Sequence, residues 1–360
     1  MKDPRIANLA RILVQYSIDA RKGQTIAVTA DSAAEPLVVA VYEELLAVGA
    51  FPALNLHPDG VDELLLKKGK PHHFTTVTSY QKAVVRHVDA TIRIRAQTNT
   101  RALSATQPRR QAQLTKAQRP LKNVILKKPW VLTLFPTAAY AQDADMSLSE
   151  FEDFVYEATY ATRTRPVASW KALRRRQEKL IGKLAGADEI RIVGPGTDLR
   201  FSVKDRPFIN SDGRHNMPSG EVFTSPLAAT AEGEITYDYP VCHGGREIEG
   251  VRLVFRGGWV VEASATKNEG FLKAMLDTDP GARRLGELGI GTNEQIQRFT
   301  RNILFDEKIG GTVHLALGQA YAEAGGRNKS AIHWDMIKDL RRGGAVYVDG
   351  TVFQKDGRFA

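Results

Sequence analysis

Residues 25–56 read TIAVTADSAAEPLVVAVYEELLAVGAFPALNL, and their order of patterns sets the architecture of the first half. Positions 25–29 alternate β-branched and small residues as a strand does, 34–48 place apolar residues at helical spacing, and 52–56 return to an extended pattern. Working outward, Ile6, Leu9, Ala10, Leu13 and Tyr16 recur at helical spacing within 5–20. Further extended runs occur at 90–95 and 131–135, and the segment between them is long enough for a crossover helix packed on a parallel sheet. Strands alternating with helices make an α/β unit, here a Rossmann-like open sheet. Ser147 and Glu150 form a capping box that starts a helix with Phe151, Phe154 and Val155 on its apolar stripe. Another helix is expected at about 169–184.

Beyond Gly186 the texture changes to short alternating segments, EIRIVGPGTDLRFSV (189–203), EGVRLVFRGGWVVEASA (249–265) and TVHLALG (312–318), with glycine-containing turns between them. The expected organisation is therefore a Rossmann-like α/β domain over residues 1–186 and a mainly antiparallel-β, α+β catalytic domain over residues 187–360.

A hydrophobic content of 42% over 360 residues is enough to bury two ordinary cores, and a charged fraction of 25% excludes wholesale disorder. The amino-terminal helix is interrupted by charges, unlike a secretory signal, and no run reaches the roughly 18 apolar residues of a membrane span. A cytoplasmic location is the expectation. The single cysteine, Cys242, excludes an intrachain disulfide and reads as an inert thiol rather than a nucleophile. The net charge of +9 is concentrated in 101–128, where Arg109, Arg110, Lys116, Arg119, Lys122 and Lys127 occur without a single acid. Such a face can hold nucleic-acid phosphates, but it lacks interleaved aromatics to stack on bases, so a solvated helix face is the better reading.

No dinucleotide fingerprint, phosphate loop, HExxH or GxSxG occurs; GPGTDL at Gly194 and GIGTNE at Gly289 are fragments that read as tight turns. The second half is instead dense in hard-metal ligands: Glu221, Glu287, His314, His333 and Asp335. On a strand, Val313, Leu315 and Leu317 point one way and His314 the other. By the same parity His333 and Asp335 share a side, with Ile332, Trp334 and Met336 opposite. Glu221 follows Pro218, Ser219 and Gly220, a turn that can swing a carboxylate into a cleft. A mixed imidazole and carboxylate set suits zinc, cobalt or manganese. Two such ions can hold a hydroxide between them while polarising a carbonyl, which makes hydrolysis the natural reaction class. Taken singly, each of these residues has a plain structural explanation as a hydrogen-bonded turn or strand group.

The motifs NMPSGEVFTSP (216–226), LGELGIGTN (285–293), FDEKIGGTVHLALGQAY (305–321) and GGRNKSAIHWDM (325–336) resemble, in order and spacing, those of the aminopeptidase T and aminopeptidase S family of dinuclear metallopeptidases. PTAAYAQDADMSLSEFEDFVYEA (136–158) extends the resemblance into the first half. It implies metal-binding roles for Glu221, Glu287, His314, His333 and Asp335, with Glu307 a further ligand although two extra residues separate it from His314. It also implies that Tyr321 donates a hydrogen bond to the tetrahedral oxyanion and that Glu287 or Glu307 shuttles the proton. The expected enzyme uses two divalent ions (zinc, cobalt or manganese) to release N-terminal amino acids from short peptides, as a homodimer with enclosed sites. The alternatives are another metal-dependent amidohydrolase or dipeptidase and, from a different class, a basic nucleic-acid-binding protein.

Overall fold

A computed structural model describes residues 3–243 and 246–360. Contacts divide the chain into two compact units, residues 1–170 with 213–218 and residues 171–212 with 219–360. The first unit thus includes a short return from beyond residue 186, the position at which the sequence texture changes.

The first unit is built on a parallel sheet in the order Phe51–His57, Thr25–Asp31, Ala90–Arg95, Trp130–Leu134 and Asn216–Met217. Helix Glu35–Ala47 carries the chain from the second of these strands to the first, as a parallel connection requires. Ile26, Val28, Ile92 and Ile94 are buried, which accounts for the apolar alternation read from the sequence. The edge strand Phe51–His57 is different, since Phe51, Leu54 and Leu56 remain exposed. The amino-terminal helix Pro4–Arg11 is capped by the Asp3 carboxylate, which accepts from the Arg5 amide, and continues as a π-helical turn over Ile12–Ser17. Ser147 and Glu150 form the expected reciprocal cap of helix Leu148–Ala158.

The basic segment forms the crossover helix, Pro108–Ile125, but not with the expected packing on the sheet. None of its residues is buried, and it lies against the short helices Pro71–Thr75 and Ser79–His87. Its sequence, PRRQAQLTKAQRPLKNVI, is polar on nearly every face and has no stripe wide enough to cover a sheet.

In the second unit two antiparallel sheets share one core. The larger has the order Trp259–Ser264, Arg252–Arg256, Glu232–Thr236, Thr197–Ser202, Glu189–Gly194, Ala345–Val348, Thr351–Lys355 and Arg358–Phe359. The smaller has the order His333–Asp339, Thr312–Gly318, Leu285–Gly291, Glu221–Thr224 and Ile209–Ser211. Ile192, Phe201 and Phe255 of the first pack in one cluster with Leu288, Leu315 and Met336 of the second, and Leu180 and Leu184 of helix Pro166–Leu184 join them. Gly194 and Thr197 bound a hairpin turn as expected, with Gly196 inside it at φ 62°. Gly289 does not: it lies inside the strand Leu285–Gly291, because the residue it faces leaves no room for a side chain there.

Candidate metal centre

The five-stranded sheet of the second unit has one apolar and one chemical face. Register places Val313, Leu315 and Leu317 opposite Lys338, Met336 and Trp334 of one neighbouring strand, and Val313 and Leu315 opposite Ile290 and Leu288 of the other. The alternate positions belong to the other face, where Asp335 pairs with Ala316, Ala316 with Glu287, His314 with Gly289, and Gly291 with Glu221. Parity along each strand therefore delivers His333, Asp335, His314, Glu287 and Glu221 to one surface, with glycine and alanine as their neighbours.

Two local devices make this possible. The register shifts between Leu285 and Glu287, a bulge at Gly286 that keeps Leu285 on the apolar face and still turns Glu287 to the chemical one. Gly289 lies directly beneath His314, where a Cβ would fall 2.0 Å from the imidazole Cε1. The turn before Glu221 is similarly constrained: Gly220 has φ 118°, and a Cβ there would meet Asn293 Cβ at 2.7 Å. The Asn293 side-chain amide donates to the Ser219 carbonyl (2.9 Å), and the buried Gln177 amide donates to the Glu221 carbonyl (2.5 Å). Strand Glu221–Thr224 is thereby held at its start from two sides.

The side chains converge as two overlapping groups, Glu221 with Glu307 and His314, and Glu287 with His314 and Asp335, whose ligand atoms lie within 4.8 Å of one another. His314 Nε2 is 3.3 Å from Glu287 Oε1 and 3.4 Å from Glu221 Oε2. His333 Nε2 is 3.5 Å from Asp335 Oδ1 and 3.7 Å from Glu287 Oε2. His333 Nδ1 donates to the Gln319 carbonyl at 2.7 Å, which fixes the ring and leaves Nε2 facing the carboxylates. The Tyr321 ring lies tilted against His333 with centroids 4.7 Å apart. All seven residues singled out from the sequence meet here, Glu307 included despite its longer spacing from His314.

Electrostatics follow from burial. Burial pushes the Glu221 carboxyl up to about 7, against the pull of Lys308, and raises Glu287 as well. Burial opposes protonation of His314, yet Glu287, Glu221 and Asp335 outweigh it and lift its pKa to about 9. Burial likewise opposes the charge on His333, but Asp335 and Glu287 hold its proton up to about 10. Asp335 resists its own desolvation because His333, His314 and Lys308 surround it, and it falls to about 2. Burial works against the Lys308 ammonium, and Glu307 and Glu221 reverse that effect, raising its pKa.

Glu221 Oε2, Glu287 Oε2, Asp335 Oδ1 and His314 Nδ1 are buried without a hydrogen-bond partner. His314 faces the carboxylates through its other nitrogen, Nε2, so three orphaned carboxylate oxygens remain in the cluster, as a cation site requires, since buried polar atoms are otherwise paired. The donor set and its overlap at His314 point to a dinuclear divalent-metal site, and its chemistry suits zinc, cobalt or manganese. The sequence assigned no role to Lys308, Gln177 or Asn293, which brace the site; Lys308 and Asn293 lie within the motifs 305–321 and 285–293, whereas nothing in the pattern marked Gln177.

A model of the thermophilic metalloprotease (M29) family matches residues 2–359. The chain belongs to that family. It is a metal-dependent peptidase. Among M29 relatives, aminopeptidase T of Thermus aquaticus is 28% identical over 373 residues, covering 91% of each chain, and aminopeptidase PepS of Streptococcus thermophilus is 25% identical over 381 residues, covering 91% of this chain and 90% of that one. Aminopeptidase T of Thermus thermophilus is 29% identical over 255 residues, a match spanning 62% of this chain and 62% of that one. The solved structure of wild-type AmpT from Thermus thermophilus superposes with a TM-score of 0.84 at 24% identity, covering 99% of both chains, and so shares the fold. Among the described residues no helix is long and apolar enough to cross a membrane.

Proposed function

We propose that this M29 member is an aminopeptidase that releases N-terminal amino acids from short peptides, with Glu221, Glu287, Glu307, His314, His333 and Asp335 holding two divalent ions. The observation that carries this reading is the set of buried, partnerless carboxylate oxygens on Glu221, Glu287 and Asp335, gathered around His314 Nε2. The names of the relatives support the choice of the peptide's free end.

When bound, two ions supply a hydroxide nucleophile and polarise the scissile carbonyl. The chain's own residues do the rest. His314 Nε2 lies between Glu287 and Glu221 and is common to both groups, so it would help to hold the ions there. Gln319 keeps the His333 ring in its ligating orientation. Glu287 or Glu307 passes a proton to the leaving nitrogen, since each has a carboxylate at the site that can exchange one. Burial and the surrounding carboxylates keep the Tyr321 phenol protonated, so its hydroxyl is a donor for the developing oxyanion.

The same reading makes the enzyme a cytoplasmic homodimer. The exposed apolar edge at Phe51, Leu54 and Leu56 supports a second copy as partner, because such edges are normally covered.

The test is release of free amino acid from an unblocked and an N-acetylated tripeptide by protein stripped with chelator and resupplied with zinc or cobalt. Cleavage of only the unblocked peptide, restored by metal and lost in Glu221→Ala and Asp335→Ala, is the expected result. Equal cleavage of the blocked peptide would establish a broader amidohydrolase instead.

A further inference from the structure

Lys308 is a fully buried lysine in the floor of the site. Its backbone is held on both sides, the amide donating to the Phe305 carbonyl (3.0 Å) and the carbonyl accepting from the Asn293 amide (3.2 Å). The side chain donates to Glu307 and its Nζ lies 3.8 Å from Glu221 Oε1. These are the two carboxylates of one ligand group, and both remain close to His314. In the other group, Glu287 and Asp335 have histidines as their ion-pair partners, and Lys308 acts on Asp335 only from beyond ion-pair distance. A buried ammonium stripped of its carboxylates is strongly destabilising, so Lys308 cannot leave Glu307 and Glu221 freely.

From this asymmetry we infer that Lys308 makes the two metal positions unequal, the Glu287–His314–Asp335 group taking its ion first and tightly, and the Glu221–Glu307 group taking the second weakly. The inference rests on the two-metal reading and assigns Lys308 as a positioning residue within it. A cation entering between Glu221 and Glu307 competes with a cation already there. Like charges about 4 Å apart in a half-screened interior repel strongly enough to separate two affinities by about tenfold or more. Lys308 therefore sets an order of loading, and the second position answers to the free concentration of the ion while the first stays filled.

Zinc binding to the chelator-stripped full chain is measured by calorimetry, with cobalt absorbance as an independent readout of each position. The expected wild-type result is two steps at least about tenfold apart. Lys308→Met should tighten the second step by about tenfold or more while moving the first by less than about threefold, and Lys308→Arg should keep the wild-type gap. Far-ultraviolet circular dichroism reports whether each variant is folded. Should Lys308→Met fail to fold, Glu307→Gln and Asp335→Asn decide the matter. Loss of only the weak step in the first, and of the tight step in the second, supports the assignment.

Two equal steps in the wild type, an unchanged gap in folded Lys308→Met, or loss of the tight step in Glu307→Gln would overturn it. No zinc or cobalt binding by any folded form would instead overturn the two-metal reading beneath it.

Discussion

A single methyl group is enough to disturb the site. Gly289 faces His314 across the ladder, and a Cβ there would lie 2.0 Å from Cε1 and 2.2 Å from Nε2. Gly289→Ala is thus expected to push the imidazole off its present position at a cost of about 1–3 kcal/mol. Zinc affinity should fall by about tenfold or more, with thermal melting lowered only by that strain; an unchanged affinity would mean that the ring has room to move. The facing of the site residues was legible, because period-2 alternation sorts His314 from its apolar neighbours and puts His333 beside Asp335, whereas their ligand roles came from the family resemblance of the motifs. The glycine was not. A small residue beneath a ring looks like any turn glycine until strand register is known, which is why GIGTNE read as a turn. Lys308 was hidden for a related reason, since a lysine in sequence reads as surface and only tertiary packing buries it.

At the scale of elements, the site depends on strands whose ends are fixed from outside the sheet. Gln177, midway along helix Pro166–Leu184, donates to the Glu221 carbonyl and to the Ser211 carbonyl at 3.2 Å, bridging the first residue of one strand and the last of another. Gln177→Ala should leave these buried carbonyls without that donor and create a void, costing about 1–3 kcal/mol in a denaturant melt. Zinc affinity should weaken with it, because the strand that loses its clamp begins at a ligand. A melt unchanged from wild type would show that the helix does not brace the sheet. The α/β alternation of the first half and the hairpins of the second could be read directly, since each element advertises its own period. The bulge at Gly286 could not, because two residues of like parity, Leu285 and Glu287, had to be seen against a partner strand to reveal that they face opposite ways. The crossover helix was legible in length but not in packing, as its polar faces say only that it avoids the core.

For the whole molecule, the pooled charge of the centre links metal, pH and stability. In the metal-free chain Glu221, His314 and His333 all have pKa values raised above those of the unfolded chain, to about 7, 9 and 10 respectively. A raised folded pKa contributes stability that is complete below the unfolded value and is lost as pH climbs through the folded one. For these groups the loss begins above the unfolded values near 4.5 for Glu221 and 6.5 for the histidines. Scanning calorimetry of stripped protein should show the melting temperature falling between about pH 6 and pH 10. Saturating zinc should raise the melting temperature and reverse that slope, because the ions replace the protons. Parallel pH slopes with and without zinc would show that the histidine protons are not exchanged for metal. The alternation that divides the smaller sheet into two faces has one more consequence. Sliding the strand His333–Asp339 by a single residue against its neighbour would send Trp334 and Met336 into the polar cluster and His333 and Asp335 into the oil. Misfolded chains with a slipped strand would therefore lose the Glu287–His314–Asp335 group, so an ion captured there during refolding certifies that the register is correct.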